Sequence, residues 1–424
     1  MRFGLFYHHQ LPKPWTEGSE ERLLKESLEQ IELADKLGFD CVWETEHHFM
    51  EEYSHSSAPE VFLAAAAART KNIRIGHGIV SIPPALSHPA RVAERIATLD
   101  LISGGRVEFG TGQGSTQLEV GGFNLQREHK LDQWKEALDV ITRLFVESPF
   151  GGHQGTWVDM PVRNLVPKPK QKPHPPLWVA CSSPETIEHA ARQGMGALSF
   201  AFVSPEEAKE RVETYYQLIS SDECVPLGYD VNPNFALTMP FLCHEDEETA
   251  LDRGVHGAHF FAFSFLHYWM HGLHKPGETD IAKDFAELRD AFGFSRYLSP
   301  ETREQMDPLL LARVDNLRKA IGTPEQLRQL ARSYEEVGLD QMIFQVQIGN
   351  TKHEHICESL ELFAKEVMPE FAERRPAQDA AKAARLAESI ERARQRHLPQ
   401  VHDTSHVTIP AEHAEMLENT DDED

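Results

Sequence analysis

Short apolar runs alternate along this chain with segments whose apolar residues recur every three or four positions. That alternation predicts parallel strands joined by crossover helices. The strands fall at Arg2–Tyr7, Cys41–Glu44, Ile73–Ile82, Arg106–Phe109, Leu177–Cys181, Ala197–Phe202, Phe235–Leu242 and Met342–Val346. The first helix places Leu23, Leu24, Leu28, Ile31 and Leu37 on one face,. Further helices are expected at Val61–Arg69, Ala90–Leu101, Leu131–Phe145, Pro184–Gln193, Glu206–Leu218 and Ile356–Phe371, and the Pro/Gly-rich stretch Pro149–Pro176 reads as a crossing loop. Eight strand–helix repeats predict an α/β fold of the TIM (β/α)8 barrel class, which accommodates 424 residues as one unit when it carries insertions,.

Two stretches break the repeat. Residues from about 254 to 317 form an insertion before the last strand, dense in aromatics from Phe260 to Trp269. That run is equally well a packed amphipathic helix or the roof of an apolar pocket. The barrel therefore spans 1–373. Residues 374–424, charged and Ala-rich and ending Asp421-Asp422-Glu423-Asp424, are expected to form a solvated helix followed by disorder,.

Composition narrows the functional class. A formal net charge of −25 disfavours nucleic acid and anionic membranes as partners, although a halophilic origin gives the same balance,. Cys41, Cys181, Cys224, Cys243 and Cys357 are odd in number and scattered, with no Cys-x-x-Cys pair. They read as free thiols in a reducing compartment,. The first residues are too quickly polar for a signal peptide, and no apolar run approaches the ~20 residues of a membrane span. The expectation is a cytoplasmic protein.

In parallel barrels the chemistry sits at the C-terminal ends of strands. That rule selects His8-His9-Gln10, Glu46-His47-His48-Phe49, Gly110-Thr111-Gly112-Gln113-Gly114-Ser115 and Cys181-Ser182-Ser183-Pro184. His47 and His48 are either polar loop residues or proton carriers beside a cofactor. The glycines after strand four form neither a dinucleotide fingerprint nor a P-loop. They make a tight loop or admit a flat ligand against the backbone, with Gln113 offering an amide. Ser182 and Ser183 cap a helix or, with its free N–H groups, bind phosphate. His353-Glu354-His355 reads as a solvated loop, no His-Glu-x-x-His pair occurs, and no metal site is assigned,.

Several short motifs occur in one order. They are Arg2-Phe3-Gly4, Gly38-Phe39-Asp40, Glu46-His47-His48-Phe49, His88-Pro89, Gly105-Arg106-Val107-Glu108-Phe109-Gly110, Gly322-Thr323-Pro324-Glu325, Gly338-Leu339-Asp340 and Val367-Met368-Pro369. In that order, from Met1 to about Phe371, the chain resembles the luciferase-like monooxygenase family. The resemblance implies a TIM barrel binding FMN as FMNH2 or, in one branch, the deazaflavin F420. His47 then stands at the catalytic imidazole, with His48 its neighbour. Phe6, Gly78, Gly112, Gln113, Cys181, Ser182, Ser183 and Thr186 stand around the flavin, and a non-prolyl cis peptide is implied at His77-Gly78-Ile79. His8, His9, Phe263 and His267 stand at the substrate pocket. The chain departs from the luciferases after strand four, where Gly112-Gln113 replaces a Cys-Arg pair whose arginine binds phosphate. It departs again at Cys181, where they carry a carboxylate, and at His8 and His9. A fatty-aldehyde substrate and light emission are therefore not expected.

The reading is a two-component monooxygenase acting with O2 on a small, partly apolar organic substrate. A separate flavin reductase is its partner, because no nicotinamide fingerprint is present. The resemblance also implies a homodimer paired through helices near strands two and three. The alternatives are an F420-dependent hydride-transferring oxidoreductase, a flavin-binding scaffold without turnover, and a metal-dependent barrel hydrolase.

Overall fold

A computed structural model describes residues 1–114, 116–200, 203–295, 303, 304, 306 and 308–410. Eight parallel strands close into a barrel: β1 (Arg2–Tyr7), β2 (Cys41–Glu44), β3 (Arg74–Ser81), β4 (Val107–Gly112), β5 (Leu177–Cys181), β6 (Gly196–Phe200), β7 (Phe235–Pro240) and β8 (Gln341–Gln347). Each pairs with its sequence neighbour, and β8 pairs with β1 to finish the ring. The strands are buried along nearly their whole length, because helices cover the outside and side chains fill the inside,. Phe6, Trp43, Trp178, Leu198 and Ile343 fill the interior, with Trp43 and Trp178 edge to face at 5.2 Å.

The outer layer comprises α1 (Ser19–Leu37), α2 (Pro59–Arg69), α3 (Pro89–Ile102), the short α4 (Gln117–Gly122), α5 (Lys130–Val146), α6 (Pro184–Arg192) and α7 (Pro205–Ile219). It is completed after the insertion by α11 (Pro324–Glu336) and α12 (His353–Glu366). On α1 the buried apolar face is Leu23, Leu28, Ile31 and Ala34, whereas Leu24 turns outward. β4 is longer than expected: Gly110, Thr111 and Gly112 lie in the strand, not in a loop, because they pair with β3 and β5. The crossing stretch between α5 and β5 contains a two-residue antiparallel pair, His153–Gln154 with Asp159–Met160. His353 and His355 are not in a loop but on the first turn of α12, where His353 Nδ1 meets Gln30 at 3.1 Å.

The insertion starts earlier than the aromatic run suggests. Its helix α8 covers Glu247–Leu266, continues as a π-helical turn through His271, and is followed by α9 (Ile281–Leu288) and α10 (Pro308–Arg318). A parallel bridge, Leu242–Cys243 with Ile321–Gly322, joins its two ends.

The expected solvated helix at the C-terminus exists as α13 (Met368–Arg394), but it is docked on the barrel. Phe371, Leu386 and Ala393 are buried. Arg375 pairs with Asp40, Asp379 with Arg2 at 2.7 Å, Lys382 with Asp340 at 2.5 Å and Arg394 with Asp230 at 2.8 Å. The acidic end Asp421–Asp424, the end of the sixth strand at Ala201 and Phe202, and Ser115 lie outside the described residues.

Candidate active site

A cavity of about 380 Å³ opens at the C-terminal ends of the strands,. Its floor is Phe6, Gly78, Ile79 and Gly112. The Gly78–Ile79 peptide is cis, and β3 shifts register there. A Cβ on Gly78 would lie 2.7 Å from the Phe6 ring, and one on Gly112 2.4 Å from Ile79. The two glycines therefore leave the room that the Phe6 ring and the Ile79 side chain occupy in the floor.

His47 stands on one wall. Its Nδ1 lies 2.9 Å from Glu119 Oε1. Glu119 sits at the start of α4 and accepts from the backbone N–H and the hydroxyl of Thr116 at 3.1 and 2.8 Å. Burial pushes this carboxyl up, but His47 and the Thr116 donors outweigh it and hold it at about 2,. An ionised carboxylate only accepts, so Nδ1 carries the proton and donates. The other nitrogen, Nε2, has no protein partner among the described residues. Tyr53 and Trp269 pack edge-on against the ring at 5.4 and 5.7 Å.

His8 faces the same space, its ring 6.3 Å from that of His47 and stacked on it. Burial, with His47 and His9 adding, pushes it well below the ordinary imidazole range, so it is neutral at physiological pH,. Its Nδ1 and the neighbouring Thr238 Oγ1 and Gln345 Oε1 are buried with no protein partner among the described residues. Such groups call for a ligand or water.

The opposite wall is Gln113, Cys181, Ser182 and Thr186, with Lys130 from α5, whose ammonium donates to the Gly114 carbonyl at 3.3 Å. Burial, with Arg127 nearby, lowers Lys130. Burial also pushes the Cys181 thiol up to about 12, so it stays protonated. Over the top, Phe261, Phe265 and Trp269 descend from the insertion. Phe265 and Trp269 stack at 4.5 Å, and Phe261 meets His8 at 4.9 Å.

Five expected site residues do not line this cavity. His48 turns away to Glu46 at 2.9 Å and to Phe123. His9 points outward, against Phe62 of α2 and 3.3 Å from Glu44, at a backbone φ of 50° just past the end of β1. Ser183 is spent on the capping box of α6 with Thr186,. Phe263 packs with Phe260, Phe285 and Phe294 in the insertion's own core. His267 faces His274. Phe261, Phe265 and Trp269 were legible as an i, i+4, i+8 stripe, and Tyr53 is likewise close to a named motif. Glu119 carries only the local signal of a capping box, Thr116-x-x-Glu119, and Lys130 carries none,.

The model of the luciferase-like monooxygenase family matches residues 1–341. The chain is 26% identical over 381 residues to the oxygenase component of a flavin-dependent trigonelline monooxygenase of Acinetobacter baylyi, covering 88% of this chain and 96% of that protein. It is 28% identical over 365 residues to limonene 1,2-monooxygenase of Rhodococcus erythropolis, covering 84% of each. The crystal structure of the monooxygenase RslO1 from Streptomyces bottropensis superposes with a TM-score of 0.67 at 25% identity, covering 88% of this chain and 100% of that one.

Proposed function

Because the chain belongs to the luciferase-like monooxygenase family, we propose that it is the oxygenase component of a two-component system. It takes reduced FMN from a separate reductase and places one oxygen atom of O2 into a small, partly apolar organic substrate. The observation that carries this reading is the His47–Glu119 pair beside a floor of Phe6, Gly78, Ile79 and Gly112. The floor fits an isoalloxazine ring, and the unpartnered His8 Nδ1, Thr238 Oγ1 and Gln345 Oε1 fit its polar edge or the substrate. Ser182, Gln113 and the first turn of α6 suit a phosphate. Lys130 offers a cation on the wall where Gly112-Gln113 replaces the luciferases' Cys-Arg pair.

Reduced flavin, when bound, supplies the two electrons that send one oxygen atom to substrate and the other to water. The chain's own part is positional and protonic. Glu119 fixes the His47 ring and its tautomer, leaving Nε2 to hold or deliver a proton at an oxygen in the cavity. His8 stays uncharged beside it, and Phe265 and Trp269 exclude water from above.

The test is to mix the protein anaerobically with reduced FMN, admit oxygen and follow flavin absorbance by stopped flow. A transient that outlives the oxidation of free reduced flavin supports the reading. No binding of FMN, with binding of reduced F420 instead, overturns it. The expected homodimer rests on Val61 of α2 and Leu101 and Ile102 of α3, large apolar side chains left exposed,. Sedimentation as a monomer at micromolar concentration would remove it.

A further inference from the structure

A second cavity, of about 300 Å³, lies beneath the insertion. It shares Cys181, Ser182, Ser199, Phe200 and Phe265 with the first, so the two adjoin. The rest of its wall is mostly apolar: Val203, Leu266, Phe294, Val314 and Leu317. Two side chains break that pattern, Arg211 from α7, half-buried, and Arg313 from α10, exposed.

Among the described residues neither guanidinium has a hydrogen-bond or ion-pair partner. Neighbouring arginines of the insertion are engaged: Arg303 holds Asp315 at 2.6 Å, and Arg318 donates to His259 at 3.1 Å. The chain carries 67 acidic residues against 42 Lys and Arg, so partners are plentiful. Two such guanidinium groups on a mostly apolar wall leave ten donors for solvent or a ligand's oxygens, and the planar fork suits a carboxylate or another oxyanion,.

We infer that the substrate is an organic acid with an apolar body. The body fills this second cavity, Arg211 and Arg313 hold its anionic group, and the opposite end reaches past Ser199 and Phe200 toward His47. The assignment rests on the monooxygenase reading above only for where the reacting end lies.

Titration calorimetry on the flavin-free protein tests it, with 4-phenylbutyrate and its neutral counterpart 4-phenylbutanamide as probes. The acid should bind at least tenfold more tightly than the amide. R211Q and R313Q should each cut acid affinity at least fivefold, leave amide affinity unchanged, and leave FMN affinity unchanged. No preference for the acid, or unchanged acid affinity in both variants, overturns the inference. So does an R211Q protein that loses affinity for FMN but not for riboflavin, because the guanidinium then holds the flavin phosphate. A wild-type protein that prefers the acid yet binds no reduced FMN leaves the anion site standing and overturns the flavin reading instead.

Discussion

His47 and Glu119 are 72 positions apart, and neither defines a site alone. Together they hold an imidazole of fixed tautomer whose Nε2 faces the cavity. Replacing His47 with Ala should lower product formation by roughly 10²–10⁴-fold while flavin titration shows unchanged binding. Normal turnover would remove His47 from the mechanism. Glu119→Gln should cut the rate by roughly tenfold or more, since Gln orients the ring but no longer stabilises its charge. Glu119 also links stability to pH. Its carboxyl is held at about 2 when folded, against 4.5 ordinarily. That contribution is fully present above about pH 4.5 and is lost as the pH falls through about 2. The stability gap between the wild type and E119Q should therefore narrow over that window in acid unfolding curves. A constant gap would mean that the carboxylate is not tuned by its neighbours.

Two elements shape the cavity, the β3–β4 floor and the α8 roof. At the floor, glycines differ in what they tolerate. A Cβ on Gly110 would lie 2.0 Å from the His77 carbonyl oxygen, which is backbone and cannot swing aside. A Cβ on Gly112 would meet the end of the Ile79 side chain, which can. Gly110→Ala should thus cost about 3 kcal/mol or more by denaturant unfolding, and Gly112→Ala distinctly less while weakening flavin binding. Equal costs would show that the floor is not set by backbone contact. In the roof, helical spacing divides the aromatics into two faces. Phe265 and Trp269 line the cavity, Phe261 backs it against His8, and Phe260 and Phe263 serve the insertion's core. Trp269→Ala should at least double the share of reduced flavin oxidised without product, with little change in stability.

At the scale of the whole molecule the site and the C-terminal helix occupy opposite ends of the barrel. α13 reaches Arg2, Asp40 and Asp340, which lie at or just before the N-terminal ends of β1, β2 and β8. Asp340 is nearly buried and also accepts from the Phe235 N–H at 2.7 Å and the Tyr216 hydroxyl at 2.5 Å. Lys382→Met leaves that carboxylate without its cation, at a cost of roughly 2–4 kcal/mol in denaturant unfolding. Turnover at low temperature should stay intact, because the candidate site is built at the opposite, C-terminal end of the strands,. Loss of turnover in a folded K382M protein would show that the two ends are coupled.

The chain's own periodicity determined the eight strands, their order and the placing of His47 at a strand end, because alternation and helical spacing are local and every parallel barrel reads them alike. Gly78 and Gly112 are expected beside the flavin from the resemblance and not from periodicity, and both line the cavity. What only the tertiary structure decided is which side chains meet. Closing the barrel brought Glu119 to His47 and set Arg211 and Arg313 around one cavity. The turn beyond β2 carried His48 away from the cavity. Helical rotation sent Phe263 into the insertion and Phe265 into the site. The acidic, Ala-rich tail read as solvated because its composition is polar. It docks because its sparse apolar and basic positions match a face that exists only once β1, β2 and β8 stand side by side.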